Sequence, residues 1–364
     1  MLFYFVIILF LVLLSIGKIK RVSNKTVLVI IMMFLYFLAT FRSIDIGNDT
    51  LVYHNLFKHI CSFHNLSFWS NRYEIGYLWL NEIISHLTNN FWVFLFIIDA
   101  IIYYAYYLLF QKYSINPLFS VFLFFVLGSW GQTLNIIRLQ LAIAMMIYAY
   151  LSKENNKKLF MVVFIIMALF FQRISAIFIL SYFIPKKINI KFYFVCMLLT
   201  FFCYLFFYKI ISFIAPFIPT LNHYLNSSTY VMGDTKIATL ITIFMRLIII
   251  VFCLYIFIKK KNNMDFENCE RIGYQINLVI ISLLIMIISL RFNLLDRCSY
   301  YYWNFVYLLI PNIVHYLNYE NKNIIKISII LFGIIYFISV NVYRPNWNHI
   351  YPYKTILFEN VLKS

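Results

Sequence analysis

The chain is 364 residues long, 63% hydrophobic and only 12% charged, with a mean hydropathy of +0.84. That balance excludes a soluble enzyme or carrier and leads to the expectation of an all-α polytopic membrane protein. The formal charge of +17 comes from bases scattered over short loops, which points to membrane topology and anionic lipid headgroups and away from nucleic acid.

A bilayer crossing takes about 20 apolar residues, so this length predicts about 12 transmembrane segments (range 10–13). No room is left for a soluble domain, and 1–364 reads as a single integral membrane domain. The first run is apolar from its second residue and lacks a basic leading region or an Ala-x-Ala site, which predicts a retained helix rather than a cleaved leader. Lys18, Lys20 and Arg21 behind it place its far end in the cytoplasm and the N-terminus outside. Segments follow near 2–17, 26–41, 91–110, 118–130, 138–151, 159–171, 174–185, 192–208, 237–258, 272–290, 300–317 and 324–341. With this count both termini are extracytoplasmic. The lysine clusters at 18–25, 153–158, 186–191, 259–261 and 322–326 then all fall inside.

Three external stretches remain. Residues 42–90 contain an amphipathic segment, 72–88, suited to the interface; 209–236 is entered past Pro216 and Pro219; and the tail 342–364 carries Tyr343, Trp347, Tyr351 and Tyr353. The segments 118–130, 138–151, 159–171 and 174–185 are too short for a hydrocarbon core of about 30 Å at about 1.5 Å per residue. They predict short or broken helices around an extracytoplasmic cavity, with Arg138 and Arg173 recessed in it. A single helix across 159–185 is the competing reading; it would turn Lys259 to Lys261 outward and is rejected.

Arginine does not follow lysine. Arg42, Arg72, Arg138, Arg173, Arg291, Arg297 and Arg344 lie at the opposite ends of the runs, against the positive-inside rule. Fork-shaped fixed cations are what a site for a diphosphate or carboxylate requires. Four constellations hold most of them. Phe41-Arg42-Ser-Ile-Asp45-Ile-Gly47-Asn48-Asp49-Thr50 runs on to Tyr53, and Asp49 or Asn48 could also cap a helix starting near Thr50. Asn135-Ile-Ile-Arg138-Leu-Gln140 opens an apolar helix, where Arg138 needs an anion from a ligand or from Asp99, Asp45 or Glu74. Gln172-Arg173 with Ser175 forms a polar tip, and Arg291-Phe-Asn293-Leu-Leu-Asp296-Arg297 precedes Ser299 and Tyr300. In the last, Asp296 and Arg297 could also neutralise each other. The seven histidines show no i,i+4 histidine pair and the six cysteines no CxxC, so no metal and no cofactor is expected.

In order and membrane placement these pieces resemble the EpsG-type branch of the Wzy oligosaccharide repeat unit polymerases, which make O-antigen, capsule or exopolysaccharide. The resemblance rests on Arg42…Gly47-Asn48-Asp49-Thr50…Tyr53, Tyr73-Glu74-Ile-Gly76-Tyr77, Ile137-Arg138-Leu-Gln140, Gln172-Arg173-Ile-Ser175-Ala176, Asp296-Arg297…Tyr301-Tyr302 and Tyr351-Pro352-Tyr353-Lys354. It implies a GT-C-like glycosyltransferase of the cytoplasmic membrane. On the outer face, a growing glycan would pass from undecaprenyl diphosphate to a new undecaprenyl-diphosphate-linked repeat unit. Implied partners are that lipid-linked oligosaccharide, membrane lipids and a chain-length regulator. Arg138, Arg173 and Arg297 would then hold the diphosphate, with Arg42 and Arg291 as secondary cations, and Asp49 would be the base, with Asp45 or Glu74 as substitutes. Asn48, Tyr53, Gln140, Gln172, Asp296 and Tyr353 complete the implied substrate contacts. The family often has a histidine where this chain has Gln172, which cannot act as a base near neutral pH. The alternatives are an O-antigen ligase, which would place its large external loop late rather than early, and a non-catalytic lipid-linked oligosaccharide flippase, which would line both halves of a pathway with cations.

Overall fold

A computed structural model describes residues 1–17, 23–214 and 236–359. Lys18, Lys20, Arg21, Pro216, Pro219 and the end of the C-terminal tail lie outside the described residues. The described residues are helical, with a lone antiparallel bridge between Arg42 and Thr355 and no strand.

The chain divides into two compact units. The first, Met1–Ser175 with Asn318–Ser364, holds α1 (Leu2–Ile16), α2 (Asn24–Thr40), α3 (Thr50–Phe63), α4 (Ile75–Ser85) and α5 (Phe91–Tyr113). It continues with α6 (Pro117–Val126), α7 (Ser129–Asn135), α8 (Ile137–Glu154) and α9 (Lys158–Phe171). The second, Ala176–Leu317, holds α10 (Ile190–Leu205), α11 (Phe207–Ile214), α12 (Lys236–Lys260), α13 (Phe266–Ser289), α14 (Asp296–Trp303) and α15 (Val306–His315). Helices α16 (Tyr319–Tyr343) and α17 (Ile356–Glu359) return to the first unit.

Local chemistry sets these boundaries. Side chains of Ser23, Asn90, Asn116, Asn189 and Asp265 accept from early backbone N–H groups of α2, α5, α6, α10 and α13, as N-caps should. Gly128 at φ +93° separates α6 from α7, and that pair is bent by 60°. Gln172 is extended, at φ −159° and ψ 114°, which ends α9 before Arg173–Phe183 continues as a 3-10 helix. Residues 159–185 are therefore not one α-helix. The break falls at the predicted polar tip, while the segment at 174–185 is 3-10 rather than α. The amphipathic stretch contains α4, which buries Tyr77, Leu78, Asn81 and Ile84 on one face.

By length and composition, four helices among the described residues (α5, α12, α13 and α16) suit a membrane crossing, and six segments do if the bent pairs α6–α7 and α10–α11 each count once. Broad apolar faces point outward on several of them. Phe194, Val195, Leu199 and Phe201 of α10 and Ile241, Phe244, Ile248 and Val251 of α12 are all exposed. Faces of that kind are stable against lipid and not against water.

Glycine permits the approach of α4 to α9. A Cβ at Gly76 would lie 2.6 Å from Phe170 Cβ and 2.8 Å from its carbonyl oxygen. Gly76→Val is therefore expected to lower the melting temperature of the detergent-solubilised protein by several degrees. Melting monitored by size-exclusion chromatography reads this, and an unchanged midpoint would show that the two helices are not packed this closely.

Candidate functional site

In the first unit a single carboxylate ties three elements together. Glu74 sits at the N-cap position of α4 but makes no side-chain cap bond. Its Oε2 instead accepts from Arg138 Nη1 at 2.5 Å, and its Oε1 accepts from the backbone N–H of Arg173 at 3.1 Å. Arg138, second residue of α8, stands where the helix dipole disfavours a cation, so the paired carboxylate offsets two costs at once. Its guanidinium lies over the Tyr73 ring at 5.0 Å, and Tyr53, Tyr73 and Tyr77 form an aromatic cluster with centroids 5.9–6.4 Å apart. Burial, with Tyr53 and Tyr73 beside it, pushes the Tyr77 hydroxyl well above its usual pKa and keeps it protonated. The pair is not sealed in, because the Arg138 and Glu74 side chains retain 15% and 18% exposure.

The break beside this pair is polar and incompletely satisfied. Gln172 Oε1 and Ser175 Oγ are buried without a hydrogen-bond partner, while Arg173 is exposed and its guanidinium makes no ion pair among the described residues. Most buried polar side-chain atoms in proteins have a hydrogen-bond partner.

The Gly47-Asn48-Asp49 turn is held by backbone. Gly47 adopts φ +84°, and a Cβ there would meet the Leu134 carbonyl at 2.5 Å. Its N–H donates to the His349 carbonyl at 2.9 Å, and Asn48 Nδ2 donates to the Asn346 and Trp347 carbonyls, each at 2.9 Å. Asp49 occupies the N-cap position of α3, but its carboxylate makes no cap bond. Its backbone is used on both sides: the N–H donates to Asn135 Oδ1 at 3.2 Å and the carbonyl accepts from the Tyr53 N–H at 3.0 Å. The expected capping role for Asp49 or Asn48 is thus corrected: the loop is anchored by the chain's own tail and by α7. Asp49's half-buried carboxylate has no partner among the described residues.

Several predicted site residues make contacts within the first unit. Arg42 and Asp99 are both fully buried and paired at 3.2 Å, with Arg42 also donating to the Ala39 carbonyl. Asp45 pairs with Lys354 at 3.4 Å. Tyr353 donates to the Leu38 carbonyl at 2.6 Å and stacks on Phe3. Gln140 points away from the Glu74 pair, accepting from the Tyr106 hydroxyl at 2.9 Å. Arg138 takes Glu74 rather than Asp99 or Asp45 among the partners the sequence offers.

Arg291, Asp296 and Arg297 belong to the second unit. Arg291 lies over the Tyr204 ring at 4.3 Å, and Tyr300 donates to Asp296 at 3.2 Å. Arg297 makes no ion pair within 4 Å among the described residues, although its charge acts on the Asp296 carboxylate. Sequence reasoning placed Arg246 mid-helix but gave it no site role; it is buried in α12, donates to the Ser282 carbonyl at 3.1 Å and lies over Trp303 at 4.5 Å. The signal was available, since a lone cation in an apolar helix needs a reason.

A family model for the EpsG family matches residues 25–355. The chain belongs to the EpsG family. No curated protein and no solved structure matches it. Membership brings a polysaccharide-polymerase type of function, of the glycosyltransferase kind, to a multi-pass helical membrane protein.

The buried pair gives a prediction for this EpsG-family chain. Arg42→Ala strands Asp99 in the interior and should destabilise the protein by roughly 3–5 kcal/mol. The apolar double replacement Arg42→Met/Asp99→Leu should recover most of that loss. Melting in detergent measures both, and a double variant as unstable as Arg42→Ala would remove the ion-pair explanation.

Proposed function

We propose that the protein polymerises lipid-linked oligosaccharide repeat units on the outer face of the cytoplasmic membrane. The observation that carries this reading is the match to the EpsG family over residues 25–355. The growing glycan leaves undecaprenyl diphosphate and joins a sugar hydroxyl of a new undecaprenyl-diphosphate-linked repeat unit. The bond from the anomeric carbon to the diphosphate oxygen breaks, and a bond from that carbon to the acceptor oxygen forms. The acceptor proton passes to a carboxylate, and undecaprenyl diphosphate departs with the negative charge. A twelve-segment, GT-C-like arrangement with both termini outside and an extracytoplasmic cavity is part of the proposal, as is a chain-length regulator as partner.

The base is assigned by which carboxylate is uncommitted. Of the three carboxylates suggested for the base, Asp45 is paired with Lys354 and Glu74 with Arg138, which leaves Asp49 for the acceptor proton. Arg138, whose guanidinium meets Glu74, and Arg173, whose backbone N–H meets the same carboxylate, are assigned to the leaving diphosphate, where cations stabilise charge as it develops. Arg297, with Arg291 and Asp296, is proposed to contact substrate from within the second unit. Gln172 and Ser175 would satisfy their buried oxygens on sugar hydroxyls or water. The lipid tail has a place of matching character in the first unit. A cavity of about 670 Å³ lies among Met32, Met33, Phe96, Tyr103, Tyr104 and Tyr107, and apolar walls of this kind suit a prenyl chain.

In cells that depend on this chain for polymer, Arg138→Ala and Arg173→Lys should each insert normally yet lower polymerisation about 100-fold or more, leaving single repeats on gels of surface glycan. Asp49→Asn should do the same. Normal chain-length ladders from both arginine variants would remove the diphosphate assignment, and a fully active Asp49→Asn protein would remove the base. Loss of every surface repeat, instead of accumulation of single ones, would favour a flippase.

A further inference from the structure

We infer that His64, Glu82 and His86 form a binding site for one divalent transition metal of the zinc class, clipping the C-terminal ends of α3 and α4 together. One ligand atom from each of the three residues lies within 4.8 Å of the others. Glu82 and His86 are one turn apart on α4, so both project from one face. His64 comes from a different element. It terminates α3 at φ +49°, a left-handed position that glycine or asparagine usually takes. That turn brings its ring parallel to His86, with centroids 4.9 Å apart.

The donor set selects the metal class. Two imidazoles and one carboxylate, with a fourth position left to water, suit zinc and its neighbours in the first transition row, while magnesium and calcium require more oxygen. Metal–ligand bonds of about 2.0–2.2 Å in a tetrahedron need donors about 3.3–3.5 Å apart. From 4.8 Å, the donors must close by about 1.4 Å, and the two imidazoles, which stack on each other, are exposed and have room to rotate. The expectation of no metal looked for histidine pairs at i,i+4, whereas here the i,i+4 partner is Glu82 and the second histidine arrives from 22 positions upstream (86 minus 64).

The site's placement gives the metal leverage. Helix α3 starts at Thr50 beside Asp49, and α4 starts at Ile75 beside Glu74. A metal joining the far ends of both would hold the two helices in one arrangement and raise stability by mass action. Binding itself is independent of the proposed glycosyl transfer and is measured without it.

The experiment uses full-length protein in detergent, purified without a histidine tag and stripped with chelator. Equilibrium dialysis against Zn²⁺ should give one ion per chain, accompanied by a higher melting temperature, and Co²⁺ should give the intense visible bands of a tetrahedral site. His64→Gln and His86→Gln should each weaken Zn²⁺ binding tenfold or more and abolish the melting shift. His59→Gln and Cys61→Ser should leave both unchanged, because neither residue belongs to the donor group. The inference is overturned if the wild type binds no Zn²⁺ at micromolar concentration, or if either the His64 or His86 variant retains wild-type affinity. A variant that does not yield monodisperse protein without metal is replaced by Glu82→Gln, which must show the same tenfold loss.

Discussion

Charge inside an apolar molecule has to be answered by charge or by hydrogen bonds, and this constraint organises the first unit. Arg42 and Asp99 have no exposure at all and meet each other. Arg138, at a helix start that repels cations, meets Glu74. The two pairs differ in exposure. The Arg42 pair is enclosed, so its arrangement is permanent, and its incomplete hydrogen bonding is a fixed cost of the fold. The Glu74 pair remains open to solvent, beside a helix break whose polar atoms lack partners.

Glu74 is also the point where three parts of the sequence, distant from one another, come together. One of its oxygens reaches the start of α8 and the other reaches the backbone just after α9. Gly76, two residues on, lets α4 lie against the end of α9 without a side chain between them. A Glu-Ile-Gly sequence thus places a carboxylate and a close helix contact in the same turn. The turn at Gly47 works similarly, with α7 on one side and the returning tail on the other. Polar groups are held near one another by backbone geometry, which resists the rearrangements that flexible side chains would allow.

Much of the architecture was legible beforehand. The apolar stretches are helical among the described residues, because apolar runs in lipid have few other ways to satisfy their backbones, and four to six of them suit a membrane crossing by length and composition. The break near Gln172 was legible too, since the polar pair Gln172-Arg173 interrupts an otherwise apolar run. Helix α3 was suggested only by a capping pattern at Asp49, and the structure forms the helix without that cap bond. Arg138, Arg173, Glu74 and Asp49 were all named from sequence, and Glu74 was among the three carboxylates offered as a partner for Arg138. Arg138 had three carboxylates to choose from, and nothing in the local sequence ranked them.

The amino-acid sequence alone determined the solvent this protein lives in, the helical character of its segments, its family and the residue types suited to a charged substrate. These properties depend on composition, periodicity and local order, which are written along the chain. Tertiary structure decided which arginine is sealed against Asp99 and which stays accessible beside Glu74, and it decided that Asp45 and Tyr353 serve the C-terminal tail while Asp49 stays unpaired. Those outcomes turn on a few ångströms between residues tens to hundreds of positions apart. Electrostatic and hydrogen-bond energies at such range depend on geometry that only the packed helices supply.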